Sequence, residues 1–157
     1  MSPATPITEG KPAPAFSLES SAGGTVALAS LAGKTVVLYF YPKDSTPGCT
    51  VEAQQFRDQL SAFTKRGAVV FGVSKDSIAS HCKFSEKQEL NFALLSDPTG
   101  EMIDAYGAWG EKNNYGKKSM GIVRSTVVVG PDGKVLKRYG KVKADGHAAQ
   151  VLADLAR

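Results

Sequence analysis

The stretch Thr35-Val-Val-Leu-Tyr-Phe-Tyr41 sets the strongest limit on what this chain can become, because it is apolar or β-branched at every position. A strand with one wet face alternates; a run without that alternation fills a buried central strand, covered on both sides. The sequence around it agrees. A helix is expected from about Cys49 to Arg66, with Phe56, Leu60 and Phe63 at helical spacing and Gly67 as the residue that ends it. Next come a strand over Ala68 to Val73, a helix from about Ser77 to Glu89 with Asp76 as N-cap, and a short strand over Phe92 to Leu95 closed by Asp97-Pro98. This βαβαβ order is the mark of a parallel sheet with crossover helices.

The pattern then changes. A short helical segment near Glu101 to Tyr106 leads through a Gly-rich loop, solvated around Lys112 to Lys118, into one strand spanning Ile122 to Val129. Gly130-Pro-Asp-Gly133 joins it to Val135 to Tyr139, and a turn this short makes the two antiparallel. A last helix carries Ala148, Val151, Leu152 and Leu155 on one face. Near the start, Ala15 to Glu19 and Thr25 to Leu28 flank Ser20-Ser-Ala-Gly-Gly24 as a small hairpin. The expected class is α/β: a thioredoxin-like fold with a central mixed β-sheet flanked by helices and an N-terminal β-hairpin, in a single domain over residues 1–157.

Composition narrows the function. With 42% hydrophobic and 22% charged residues, 157 residues suffice for a core that buries roughly 70% of the unfolded chain's surface. The net charge of +4 comes from scattered lysines and arginines, so a nucleic-acid partner is not expected. No stretch approaches a membrane span, and Met1 to Pro14 has no apolar signal core, so the expectation is a protein of the cytoplasm. Two cysteines in a reducing compartment do not make a disulfide scaffold; nucleophilic or redox chemistry is the better reading. His81 and His147 are the only histidines, and no Cys or His pair has a recognised zinc spacing, so no metal is expected.

The chemistry points to Cys49. It falls at the end of Pro42-Lys-Asp-Ser-Thr46-Pro-Gly-Cys49, between the buried strand and the first helix. Unpaired amides and the positive end of the helix dipole favour a thiolate there. Pro42, Pro47 and Gly48 stiffen the loop, Thr46 brings a hydroxyl, and nothing in Thr46 to Thr50 is apolar enough to bury a spectator thiol. Tyr39, Phe40 and Trp109 are read as core. Glu52, one turn beyond Cys49, has the reach to orient an arginine. Arg124 starts a strand that could end near the Cys49 loop.

The pattern Pro42-x-x-x-Thr46-x-x-Cys49 resembles the active-site motif of the peroxiredoxins, and Tyr39-Phe-Tyr-Pro-Lys-Asp-Ser-Thr-Pro-Gly-Cys-Thr50 resembles their bacterioferritin comigratory protein or PrxQ branch. The similarity runs nearly end to end, through Gly72-Val-Ser-Lys-Asp-Ser77, Leu94-Leu-Ser-Asp97, Lys112-Asn-Asn-Tyr-Gly-Lys117 and Arg124-Ser-Thr126. It implies a peroxidase for hydrogen peroxide and small organic hydroperoxides, without a bound cofactor and monomeric, recycled by thioredoxin or a glutaredoxin-like dithiol protein. It implies that Cys49 is the peroxidatic nucleophile, that Arg124 is the fixed cation, that Thr46 hydrogen-bonds the peroxide and that Pro42 shields the thiolate. Some relatives carry a resolving cysteine five residues after the first, where this chain has Gln54; others carry it on the next helix, where Cys82 falls. Cys82 also follows Ile78 by one helical turn, a spacing that suits a thiol turned to the core.

Two other readings compete. A thioredoxin-like disulfide oxidoreductase would place a second thiol three positions after Cys49, where Glu52 stands. A non-catalytic redox sensor would use the same activated thiol without turnover.

Overall fold

The computed structural model describes residues 8–114 and 116–155. In chain order its elements are β1 (Ser17–Ser20), β2 (Thr25–Ala27), a 3-10 turn (Leu28–Leu31), β3 (Thr35–Phe40), α1 (Pro47–Lys65), β4 (Ala68–Ser74) and α2 (Ile78–Lys87). There follow β5 (Leu94–Ser96), α3 (Glu101–Ala105), β6 (Trp109–Asn114), β7 (Lys117–Ile122), β8 (Ser125–Val129), β9 (Val135–Tyr139) and α4 (His147–Leu155). One sheet runs in the order β2-β1-β5-β4-β3-β8-β9. Its β3, β4 and β5 are parallel, whereas β8 and β9 add antiparallel beyond β3, and the hairpin β1–β2 adds antiparallel beyond β5. The thioredoxin-like mixed sheet and the N-terminal hairpin both stand as expected.

The unbroken apolar run on β3 has its reason in this order. With β4 on one side and β8 on the other, successive side chains enter opposite cores. Val36, Leu38 and Phe40 pack with Leu95, Ile103, Tyr106 and Val127; Val37, Tyr39 and Tyr41 pack with Cys49, Ala53, Phe56, Phe84 and Val151. The second of these cores lies under α1, α2 and α4. The end of α1 is sharp: Arg66 caps it and Gly67, at φ +73°, supplies the left-handed residue that turns the chain into β4. Gly72 has a steric reason. A Cβ there would come within 2.7 Å of the Tyr39 ring and 2.8 Å of Leu94.

Three local expectations need correction. The segment read as a solvated loop around Lys112 to Lys118 contains β6 and β7, a two-stranded sheet of their own. Its strands are polar and lack the alternation that would announce them. The strand expected from Ile122 to Val129 is therefore two, broken at Val123-Arg124. The N-cap of α2 is Ser77, whose hydroxyl accepts from the Ser80 amide at 3.1 Å. Asp76 is occupied elsewhere, taking the Ser74 hydroxyl at 2.7 Å and the Asp44 amide at 2.8 Å.

Candidate active site

Strand β3 delivers the chain to a loop at Pro42, and that loop feeds the first turn of α1. Thr46 is the N-cap by backbone (φ −86°, ψ 154°), Pro47 occupies the first helical position where its missing N–H costs nothing, and Cys49 follows. Thr50 N–H is bonded to Thr46 O at 2.9 Å, so the amides of Gly48 and Cys49 lie ahead of the helical ladder and point outward from its positive end. The Thr46 side chain makes no cap bond; its hydroxyl donates to Lys43 O at 2.8 Å, which tightens the loop and leaves its oxygen free to accept.

Arg124 meets this turn from β8's leading edge. Its Nη2 donates to Cys49 Sγ at 3.3 Å and its Nη1 to Glu52 Oε1 at 2.6 Å. Two neighbours border it there: Arg124 O accepts from Val142 N–H at 3.1 Å, and a Cβ on Gly48 would lie 3.1 Å from Nη2, so a side chain at 48 would press on the guanidinium and shift it by a few tenths of an ångström. The break between β7 and β8 thus has a use. Arg124 lies outside the ladder, where its side chain reaches across to α1.

Cys49 is only 1% exposed. This corrects the expectation that its neighbours would leave the thiol uncovered. The cover is not local: Cys49 shares a buried cluster with Tyr39, Tyr41 and Phe56, and Arg124 comes from 75 residues away. Glu52 is buried as well. Its Oε2 has no hydrogen-bond partner among the described residues, and burial raises its carboxyl to about 7 while the charge and hydrogen bond of Arg124 pull the other way. Burial acts to lower the Arg124 value, but Glu52 and Cys49 outweigh it and the guanidinium is held above its ordinary value. Tyr39, stacked on Phe56 at 4.6 Å, keeps its proton because burial and then the charges of Glu52 and Cys49 raise it well above the phenolic range.

The other expected residues fall in place unevenly. Pro42 is half-buried at the mouth of the loop. Tyr39 and Phe40 are core, as read, although only Tyr39 is on the Cys49 side; Trp109 packs against the opposite core with Lys75 Nζ 5.1 Å from its ring. Cys82 does not face the core. It is exposed on α2 with Sγ 3.7 Å from Ser21 O, because His81 and Phe84 take the inward positions, and both cysteines are free.

Sequence reasoning missed Asp44 and His81. Asp44 Oδ1 accepts from Tyr41 OH at 2.5 Å, and Oδ2 accepts from Ser80 Oγ and His81 Nδ1, each at 2.8 Å. Burial works against the Asp44 carboxylate, but these bonds and the His81 charge hold it below its usual value. The signal available was Asp44 inside the octapeptide itself. Asp44, Asp76 and His81 bring ligand-type atoms within 4.8 Å of one another, yet all three engage one another or neighbouring hydroxyls and amides, which makes the group a hydrogen-bonded network and not an open metal site.

Comparison with known proteins agrees with this geometry. Residues 9–138 match the model of the AhpC/TSA family. The chain is 46% identical over 149 residues to Peroxiredoxin Bcp of Bacillus subtilis, covering 95% of each, and 48% identical over 146 residues to Peroxiredoxin Bcp of Xanthomonas campestris, covering 92% of this chain and 91% of that one. Among solved structures it is similar to the bacterioferritin comigratory protein of Xanthomonas campestris, studied for alkyl peroxide reduction (TM-score 0.85, 46% identity, 90% of each chain), and to a mutant of the Xylella fastidiosa PrxQ (TM-score 0.91, 34% identity, 98% of each). With a helix-start cysteine under an arginine, on this sheet and at this similarity, the chain belongs to the AhpC/TSA family and within it to the Bcp/PrxQ peroxiredoxins.

Proposed function

We propose that this thiol-dependent peroxidase works through Cys49 as the peroxidatic nucleophile, with Arg124, Thr46, Pro42 and Glu52 around it. The observation that carries the reading is the Arg124 fork, one arm on Cys49 Sγ at 3.3 Å and the other on Glu52 at 2.6 Å. Cys49 sulfur attacks one peroxide oxygen in line. The S–O bond forms as the O–O bond breaks, the electron pair leaves on the distal oxygen, and that oxygen takes a proton to depart as water or an alcohol. Cys49 becomes a sulfenic acid. Charge develops on the departing oxygen, and a fixed guanidinium beside outward-pointing amides stabilises it without reorganisation. Thr46 supports this through its free hydroxyl lone pairs, which accept a hydrogen bond from the peroxide, while Pro42 keeps water from the sulfur.

Cys82 is proposed as the resolving thiol. It is exposed and on the helix that follows α1, but it faces Ser21 and not Cys49, so the disulfide needs the first turn of α1 and part of α2 to unwind. A dithiol protein such as thioredoxin or a glutaredoxin would then restore both thiols. Cys49, Glu52 and Arg124 come from one chain, which suits a monomer, and two free thiols suit a reducing compartment such as the cytoplasm. Among the described residues no helix is long and apolar enough to cross a membrane.

Peroxide consumption with a recycling reductant tests the reading. Cys49→Ser should be inactive, and Arg124→Lys should lose on the order of 100-fold, since a point charge does not reproduce the two-armed fork. Turnover retained in Cys49→Ser would remove the mechanism, and parent-like kinetics in Arg124→Lys would remove the cation's role.

A further inference from the structure

The peroxidase chemistry uses nothing of His81, yet this side chain is completely buried and both of its ring nitrogens have polar partners. Its Nε2 lies 3.0 Å from Leu95 O and its Nδ1 2.8 Å from Asp44 Oδ2. A carbonyl only accepts, so Nε2 donates to Leu95 O, which leaves Nδ1 to pair directly with the Asp44 carboxyl group, with the Tyr41 hydroxyl 3.3 Å away. Such a pair leaves a costly buried polar group unsatisfied if either partner is lost. It joins two elements far apart in sequence, α2 through His81 and the Cys49 loop through Asp44.

The loop needs that anchor. Ser45, directly after Asp44, has φ +65°, a left-handed backbone that a serine seldom adopts and that persists only where surrounding bonds over-determine it. Those bonds converge on Asp44: Tyr41, Ser80 and His81 on its carboxylate, Asp76 on its amide. Thr46 and the first turn of α1 follow at once, so the angle at which Cys49 presents its sulfur to Arg124 is set through Ser45.

We infer that Asp44 and His81 are positioning residues for the peroxidase reaction, a buried hydrogen-bonded pair that clamps the Pro42 to Thr46 loop onto α2 and thereby aims Cys49 Sγ at the Arg124 fork. The inference rests on Cys49 being the nucleophile. It does not depend on Cys82.

The test is a double-mutant cycle in a Cys82→Ser background, so that resolution plays no part. Asp44→Asn, His81→Gln and their combination are oxidised with hydrogen peroxide, quenched at short times, and the sulfenic form of Cys49 is counted by mass, well below each variant's melting midpoint. Each single variant should oxidise Cys49 about 10-fold or more slowly, because a displaced nucleophile loses alignment with its partners. The combination should recover part of that loss, since the two amide side chains can hydrogen-bond to each other and leave neither partner unsatisfied. Amide exchange over residues 45–50 should quicken in step with the slowed chemistry. Single variants within about twofold of the parent, or losses that multiply in the combination, would overturn the inference. Where a single variant does not fold, Ser80→Ala removes one donor from Asp44 without stranding a charge; it should still slow the oxidation and quicken exchange at 45–50, and unchanged values there would overturn the inference equally. Failure of the Cys49 reading is distinguishable, since it shows as turnover surviving in Cys49→Ser.

Discussion

Glu52 carries two demands that pull against each other. One oxygen pairs with Arg124 at 2.6 Å, while the other is buried with no partner among the described residues, and burial lifts the carboxyl from 4.5 to about 7. A carboxyl raised on folding contributes stability that is complete below about 4.5 and is lost as the pH rises through about 7, because the unfolded chain ionises first. The parent should therefore lose up to about 3 kcal/mol relative to Glu52→Gln across that window, read from denaturant titrations at several pH values. Over the same range the ionised carboxylate pins the guanidinium, so the parent's Cys49 oxidation rate should climb more steeply with pH than that of Glu52→Gln. Parallel curves from pH 4.5 to 8 would show that Glu52 does not titrate there. The residue scale also separates two kinds of glycine. Gly67 is favoured by its positive φ, whereas a side chain at Gly48 would crowd the Arg124 guanidinium.

Among the elements, β3 and α1 do most to shape the site. Tyr39 comes off β3 and stacks on Phe56 of α1 with its ring planes 9° apart, and its hydroxyl end reaches over Gly72 on β4. Gly72→Ala would put a methyl 2.7 Å from that ring and 2.8 Å from Leu94, both fully buried. Neither can retreat, so the substitution should cost about 1–3 kcal/mol, seen as a lower denaturation midpoint at an unchanged slope. A parent-like midpoint would mean that β4 gives way locally. At this scale α2 departs from one of the two readings left open for Cys82, the thiol turned to the core. Its inward face carries His81 and Phe84, and Cys82, next to His81 in sequence, is exposed. The spacing of Cys82 from Ile78 is a helical turn, but Ile78 is itself only half-buried, so sharing its face does not lead into the core.

For the molecule as a whole, the two cysteines pose the main dynamic question, since Cys49 is buried on α1 while Cys82 is exposed on α2 with its Sγ against Ser21 O. If Cys82 resolves the sulfenic acid, one equivalent of peroxide should give a Cys49–Cys82 disulfide with faster amide exchange in α2 and the first turn of α1, while β3, β4 and β8 stay protected. In Cys82→Ser the sulfenic acid should persist and over-oxidise at lower peroxide. A mutant that recycles with thioredoxin as fast as the parent, and resists over-oxidation equally, would make this a one-cysteine enzyme. What the sequence determined by itself was local or repetitive: the two-sided burial of Thr35 to Tyr41, the alternation of strands and helices, the short turn at Gly130 to Gly133, and the octapeptide that ends in Cys49. Those features are written in side-chain period and turn chemistry, which neighbouring residues alone specify. Tertiary structure decided that His81 crosses 37 residues to lock Asp44, that polar β6 and β7 pair, that Cys82 faces outward, and that Arg124, placed near Cys49 beforehand only by the family resemblance, reaches across 75 residues to contact it. These depend on which surfaces meet when the sheet closes, and that is settled by packing between segments whose sequences carry no mark of one another.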